Sequence, residues 1–160
     1  MTTSPTPLTD AAHRVVVGVD GSSASFAALQ WAVDYASGRH MRVHAIIAWD
    51  WPTTYAWGSF PSDFNPGLSA EQMLDQLVER TRSRHPNVTI DGEVLQGDPT
   101  TILESASHDA DLLVVAQRGH GELVGMLLGS VSEHCVTHAH CPVLVFRDDH
   151  TLSHQKARKR

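Results

Sequence analysis

Apolar residues along this chain come in short runs separated by stretches of helical spacing. Val15-Val16-Val17-Gly18-Val19 is continuously apolar and β-branched, the pattern of a strand covered on both faces. Ser22 or Ser23 then offers an N-cap, and Phe26, Leu29, Val33 and Ala36 fall at helical spacing until Gly38 ends the helix. A second strand is predicted from Arg42 to Trp49. The stretch after it holds Trp49, Trp51, Tyr55, Trp57 and Phe60, punctuated by Pro52, Gly58, Pro61, Pro66 and Gly67, and reads as a long loop. From Glu71 to Arg84, Met73, Leu74, Leu77, Val78 and Thr81 share one helical face. Val88 and Ile90 alternate with polar neighbours and lead to Val94-Leu95, a third strand. Asp98 followed by Pro99 is an N-cap with proline at the first helical position, starting a helix through about His108. Leu112-Leu113-Val114-Val115 is a fourth strand, Ser130 to His138 a fourth helix, and Val143-Leu144-Val145-Phe146 a fifth strand.

Five strands alternating with four helices predict an α/β fold: a doubly wound, five-stranded, mostly parallel sheet with helices on both faces. The first and fourth strands are continuously apolar, as central strands are, and the third alternates, as an edge strand does. Both features fit the order 3-2-1-4-5. Ligands of such sheets bind beyond the carboxyl ends of the strands, where the strand order reverses. That point lies between the loop after Val19 and the loop after Val115.

Composition narrows the function classes. The chain has 160 residues, 41% of them hydrophobic, enough for one ordinary domain. Residues 13–147 read as that domain, residues 1–12 as a flexible arm and residues 148–160 as a polar tail ending in a basic cluster. Twelve basic against eighteen acidic residues give a formal charge of −6, which argues against a nucleic-acid or anionic-membrane partner. No apolar run approaches the roughly 18 residues of a membrane span. Two cysteines make no disulfide framework and point to the cytoplasm.

Candidate chemistry concentrates in two loops. In Gly18-Val19-Asp20-Gly21-Ser22, a carboxylate stands at a strand end just before a helix. In Ala116-Gln117-Arg118-Gly119-His120-Gly121, running to Gly129-Ser130, exposed backbone amides lead into a helix start. The second arrangement suits an anion, because the amides point outward and the helix dipole favours negative charge. Ser130 adds a hydroxyl donor and Arg118 a positive charge. Neither G-x-x-x-x-G-K-[ST] nor G-x-G-x-x-G is present, since Val124 stands at the third glycine of the latter. His134, Cys135, His138, His140 and Cys141 are metal-capable, and the i,i+4 histidines share a helix face. Cys135 would lie on a different face, however, and no metal site is predicted.

These residues resemble the universal stress protein family, from about Arg14 to Arg147. The resemblance is carried by Val17-Gly18-Val19-Asp20-Gly21-Ser22, Gly97-Asp98-Pro99, Arg118-Gly119-His120-Gly121 through Gly129-Ser130-Val131-Ser132, and His140-Cys141-Pro142-Val143-Leu144-Val145. The family's ATP-binding branch has the pattern G-x2-G-x9-G-[ST]. Gly119, nine residues, Gly129 and Ser130 match it, while Ala116 stands where the first glycine belongs. The resemblance implies an ATP-binding, dimeric stress-response protein. Asp20, with Gly18, Val19 and the backbone near Ala48, would hold the adenine and ribose end. Val115, Ala116, Arg118 and Gly119 would line the nucleotide, and Gly129, Ser130, Val131 and Ser132 would receive the phosphates, with Mg2+ as an accompanying cation. No general base is paired with a nucleophile in the sequence, so at most slow ATP hydrolysis is expected. The alternatives are cyclic AMP as ligand, a nucleotide-independent dimeric interaction module, and, least supported, adenylate chemistry. A homodimer is expected through Val143 to Phe146, because an apolar edge strand needs a cover.

Overall fold

The computed structural model describes residues 13–50, 65–117 and 127–147. The arm, the tail, most of the aromatic stretch after Trp49, and Arg118 through Met126 lie outside the described residues. The elements are β1 (Arg14–Gly18), α1 (Ser23–Ala36), β2 (Arg42–Trp49), α2 (Pro66–Arg82), β3 (Ile90–Gln96), α3 (Pro99–Ser107), β4 (Leu112–Ala116), α4 (Ser130–His138) and β5 (Val143–Phe146). The sheet has the order β3-β2-β1-β4-β5, and every adjacent pair is parallel.

Strand composition explains position in the sheet. Val15, Val16 and Val17 are wholly buried, as are Leu113 and Val114, because β1 and β4 are covered on both faces. Alternate residues face opposite sides. Val15, Val17, Val43, Ala45 and Val114 pack under α1 and α2, whereas Val16, Ile46, Leu113 and Val115 pack with Leu103 of α3 and Cys135 of α4. Each fully buried valine or leucine contributes roughly 1.5–3 kcal/mol. β3 is an edge strand with an exposed run from Asp91 to Glu93. At the other edge all four residues of β5 are half-buried.

Several details differ from the expectations: β1 ends at Gly18 and α2 at Arg82, each short of the expected Val19 and Arg84, and three further differences have physical causes. The core face of α1 uses Ser25, Ala28 and Ala32 beside Leu29, Val33 and Ala36, while Phe26 is only half-buried under the Arg80 guanidinium. Small residues there bring the helix close to the sheet. Helix α2 starts at Pro66, not Glu71, capped by the Asn65 side chain on the Leu68 amide at 3.0 Å. Pro66 and Gly67 therefore belong to the first turn of a helix and not to a loop. A β-carbon on Gly67 would sit 2.7 Å from Trp49 Cζ2, so glycine there admits the indole. Val88 is buried but precedes β3, in the bend before Ile90.

Candidate functional site

The strand order reverses between β1 and β4, and a cleft of about 260 Å³ opens at their carboxyl ends. Gly18, Val19 and Asp20 line it from the end of β1, Ile46 and Ala48 from β2, and Val115 and Ala116 from β4. Pro99 and Leu103 of α3 form another wall, and Gly129, Ser130, Val131 and Ser132 close the α4 end. Every site residue expected from the sequence that falls among the described residues lines this one cleft. Arg118 and Gly119 lie outside them.

The β1 side is a turn built around a cap. Ser22 accepts the Ser25 amide at 3.1 Å as N-cap of α1, and its own amide and hydroxyl donate to Asp20 Oδ1 at 2.9 and 2.6 Å. These bonds fix the orientation of the Asp20 carboxylate. Gly21 between them has φ +81°, a left-handed conformation that favours glycine. The Ser25 hydroxyl donates to Ser22 O and accepts the Asp20 amide at 3.3 Å, tying the turn to the helix.

The β4 side is held by Gln117. Its amide donates to Phe146 O at 2.7 Å, and its carbonyl accepts the Gly129 amide at 2.8 Å and the Ser132 hydroxyl at 2.9 Å. Its side-chain amide donates to Leu127 O at 2.6 Å. One residue thus brings the start of α4 back to the end of β4. Ser132 is buried, and its hydroxyl proton is directed to the carbonyls of Gln117 and Gly129.

Helix α4 differs from the other three at its start. Side chains of Ser22, Asn65 and Asp98 cap α1, α2 and α3, whereas Gly129 is the N-cap of α4 and supplies no side-chain bond. The first amides of a helix have no partner within it, so this end offers N–H groups to an anion at the cleft. Ala116 has no positive φ, so its β-carbon carries no backbone strain. In α3, the Thr100 hydroxyl and the Thr101 amide hydrogen-bond to the Asp98 carboxylate and hold its pKa below the usual value.

Among the described residues, no three histidine, cysteine or acidic side chains are placed together to hold an ion. Cys135 and Cys141 are free thiols, and burial pushes the Cys135 pKa up to about 11. Ser25, Ile46, Pro99, Leu103 and Gln117 were not among the expected site residues. Asp98-Pro99 was legible as a helix start, but that the start faces the cleft follows only from the fold.

Comparison with known proteins places the chain among relatives of one kind. The sequence profile of the universal stress protein family matches residues 11–147. Universal stress protein Rv2623 of Mycobacterium tuberculosis is 38% identical over 148 residues, covering 86% of this chain and 46% of the relative. The chain therefore spans about half the length of the curated relatives it matches. Among solved structures, a universal stress protein in complex with cAMP superposes with a TM-score of 0.65 at 25% identity, covering 85% of this chain and 97% of the other. An Arabidopsis thaliana family protein with AMP bound shares the fold at a TM-score of 0.58 and 21% identity, covering 84% and 91%.

Proposed function

The chain belongs to the universal stress protein family, and from that premise we propose that its cleft binds an adenine nucleotide, with ATP as the ligand, in a stress-response or regulatory role. The observation that carries this reading is a single cleft at the strand-order reversal that joins an apolar interior to a helix start without a side-chain cap. Val19, Ala48 and Val115 offer apolar surface to the base, and Asp20 at the rim offers acceptors to ribose hydroxyls. Gly129, Ser130 and Val131 present amides and one hydroxyl to the phosphates. Gly18 and Ala116 complete the strand ends, and Ser132 holds the phosphate turn in place through Gln117. Arg118 and Gly119 belong to the same proposal. Among the described residues, Asp20 is the only carboxylate that lines the cleft. Mg2+ would neutralise part of the triphosphate charge, with Asp20 the residue available to it or to its waters.

Cyclic AMP is the second reading, favoured by the family structure in complex with it. Native mass spectrometry of the purified protein separates the readings by the mass of a co-purified nucleotide. ATP is expected. Cyclic AMP would replace ATP as the ligand, and a bare protein that also takes up no adenine nucleotide when incubated at millimolar concentration would overturn both.

The same proposal includes a homodimer formed through β5. This strand is a sheet edge with four apolar half-buried residues, paired on one side to β4. Relatives about twice as long as this chain are consistent with two such units working together. Two free thiols favour a reducing compartment, and we place the protein in the cytoplasm on that ground.

A further inference from the structure

Outside the cleft, the α3–α4 face gathers four histidines around one carboxylate. Glu104 follows Leu103 on α3, and His134 lies one turn beyond Ser130 on α4. Glu104 Oε2 is 2.7 Å from His134 Nε2, and Oε1 is 4.0 Å from His140 Nε2. The rings stack in two pairs: His134 on His138 at 4.2 Å between centroids, and His108 on His140 at 3.6 Å. The His134 hydrogen bond is the main reason the Glu104 carboxyl is held below its ordinary pKa.

The other charged groups nearby are engaged elsewhere or turned outward. Asp111 is bound by the Arg14 amide and His13, and Asp109 faces Arg14 at 4.0 Å. Glu133 on α4 is exposed, and the thiols of Cys135 and Cys141 are kept neutral by burial. Among the described residues, His108 and His138 form no ion pair, and no three donors are placed to hold a metal. Imidazole does, however, titrate between about pH 5 and 8.

We propose that this cluster is an acid-sensitive latch between α3 and α4, which loosens the nucleotide cleft once both rings of a stacked pair carry a proton. One proton shared between His134 and Glu104 strengthens the bond that joins the helices. A second proton in the same stack sets like charges ring to ring, with Glu104, among the described residues, the one carboxylate paired to either stack. Relief requires the rings to part, and Glu104 loses its partner as they do. The base of the contact is fixed by the His140 amide on Ser107 Oγ at 2.9 Å, so the helices separate toward their amino ends. Those ends carry Pro99 on one side of the cleft and Ser130 on the other. The effect on the cleft rests on the nucleotide reading above; the latch itself does not.

The test uses the full chain in two measurements, thermal melting without ligand and AMP titration, each between about pH 7.5 and 5.5. In the wild type, the melting midpoint falls with acid and AMP affinity drops about fivefold or more. The double variant His108→Asn, His138→Gln keeps Glu104, His134 and His140 but can no longer doubly charge either stack, so both losses should shrink to less than half. Glu104→Gln should move the onset of the melting loss to higher pH. AMP titrates equally in every sample, so the ratio between proteins reports the latch. Superimposable pH profiles of melting for wild type and double variant would overturn it. AMP binding absent at every pH would count against the nucleotide reading, and melting would still decide the latch.

Discussion

Ser130 and Ser132 stand two residues apart at the start of α4 and face different demands. The Ser132 hydroxyl is buried and directed to two backbone carbonyls, both of which also accept a backbone amide. Ser132→Ala therefore leaves no orphaned carbonyl and should cost about 0.5–1.5 kcal/mol in urea denaturation. Ser130 lines the cleft, and Ser130→Ala should leave stability unchanged while weakening nucleotide binding by about 0.5–1.5 kcal/mol. The two variants should separate, one in denaturation and the other in titration; equal effects in both assays would contradict the division. Ala116→Gly should change affinity by less than about threefold, because the backbone there is unstrained with either residue. Asp20, Gly129 and Ser130 could be singled out from the sequence because their chemistry is local, at a strand end and a helix start. Gln117 could not, because its four bonds reach partners ten or more residues away that only the folded chain brings together.

At the scale of elements, β2, α4 and β5 have the bounds their patterns predict, and α3 differs only at its last residue. Caps and β-branched runs are local signals, and they place boundaries well. The start of α2 was obscured because Pro66 and Gly67 look like loop punctuation, whereas the first is a helix-starting proline and the second makes room for Trp49. The cap of α3 offers a test with a defined sign. Thr100 and Thr101 lower the Asp98 pKa, so its contribution is present above the ordinary value of 3.8 and is lost as pH falls through the lowered one. Asp98→Ala should cost about 1 kcal/mol near neutral pH. In denaturation series, the gap between wild type and variant should close in strong acid; a constant gap would assign the effect to something other than the carboxylate.

For the whole molecule, the β5 edge and the cleft are the features, among the described residues, that we propose take a partner. Val145→Lys places a charge in the middle of β5, where Val145 also packs against the core, and should yield a monomer or insoluble protein, read by sedimentation and circular dichroism. Wild-type protein sedimenting only as monomer at micromolar concentration would refute the β5 dimer. The sheet order was legible because β1 and β4 are continuously apolar, as central strands covered on both faces are, while the alternating β3 suits an edge; β5, equally apolar, took its edge place from the order of the other four. Which residues of α3 complete the cleft was not, since that depends on how closely α3 and α4 pack. The nucleotide claim is tested most directly at Gly129. Its φ of −77° and ψ of 162° suit any residue, so Gly129→Glu adds a carboxylate at the start of α4 without backbone strain. Calorimetric titration with Mg-ATP should show saturable binding to wild type and none to a Gly129→Glu protein that melts normally; equal binding to both would contradict the phosphate site at the start of α4.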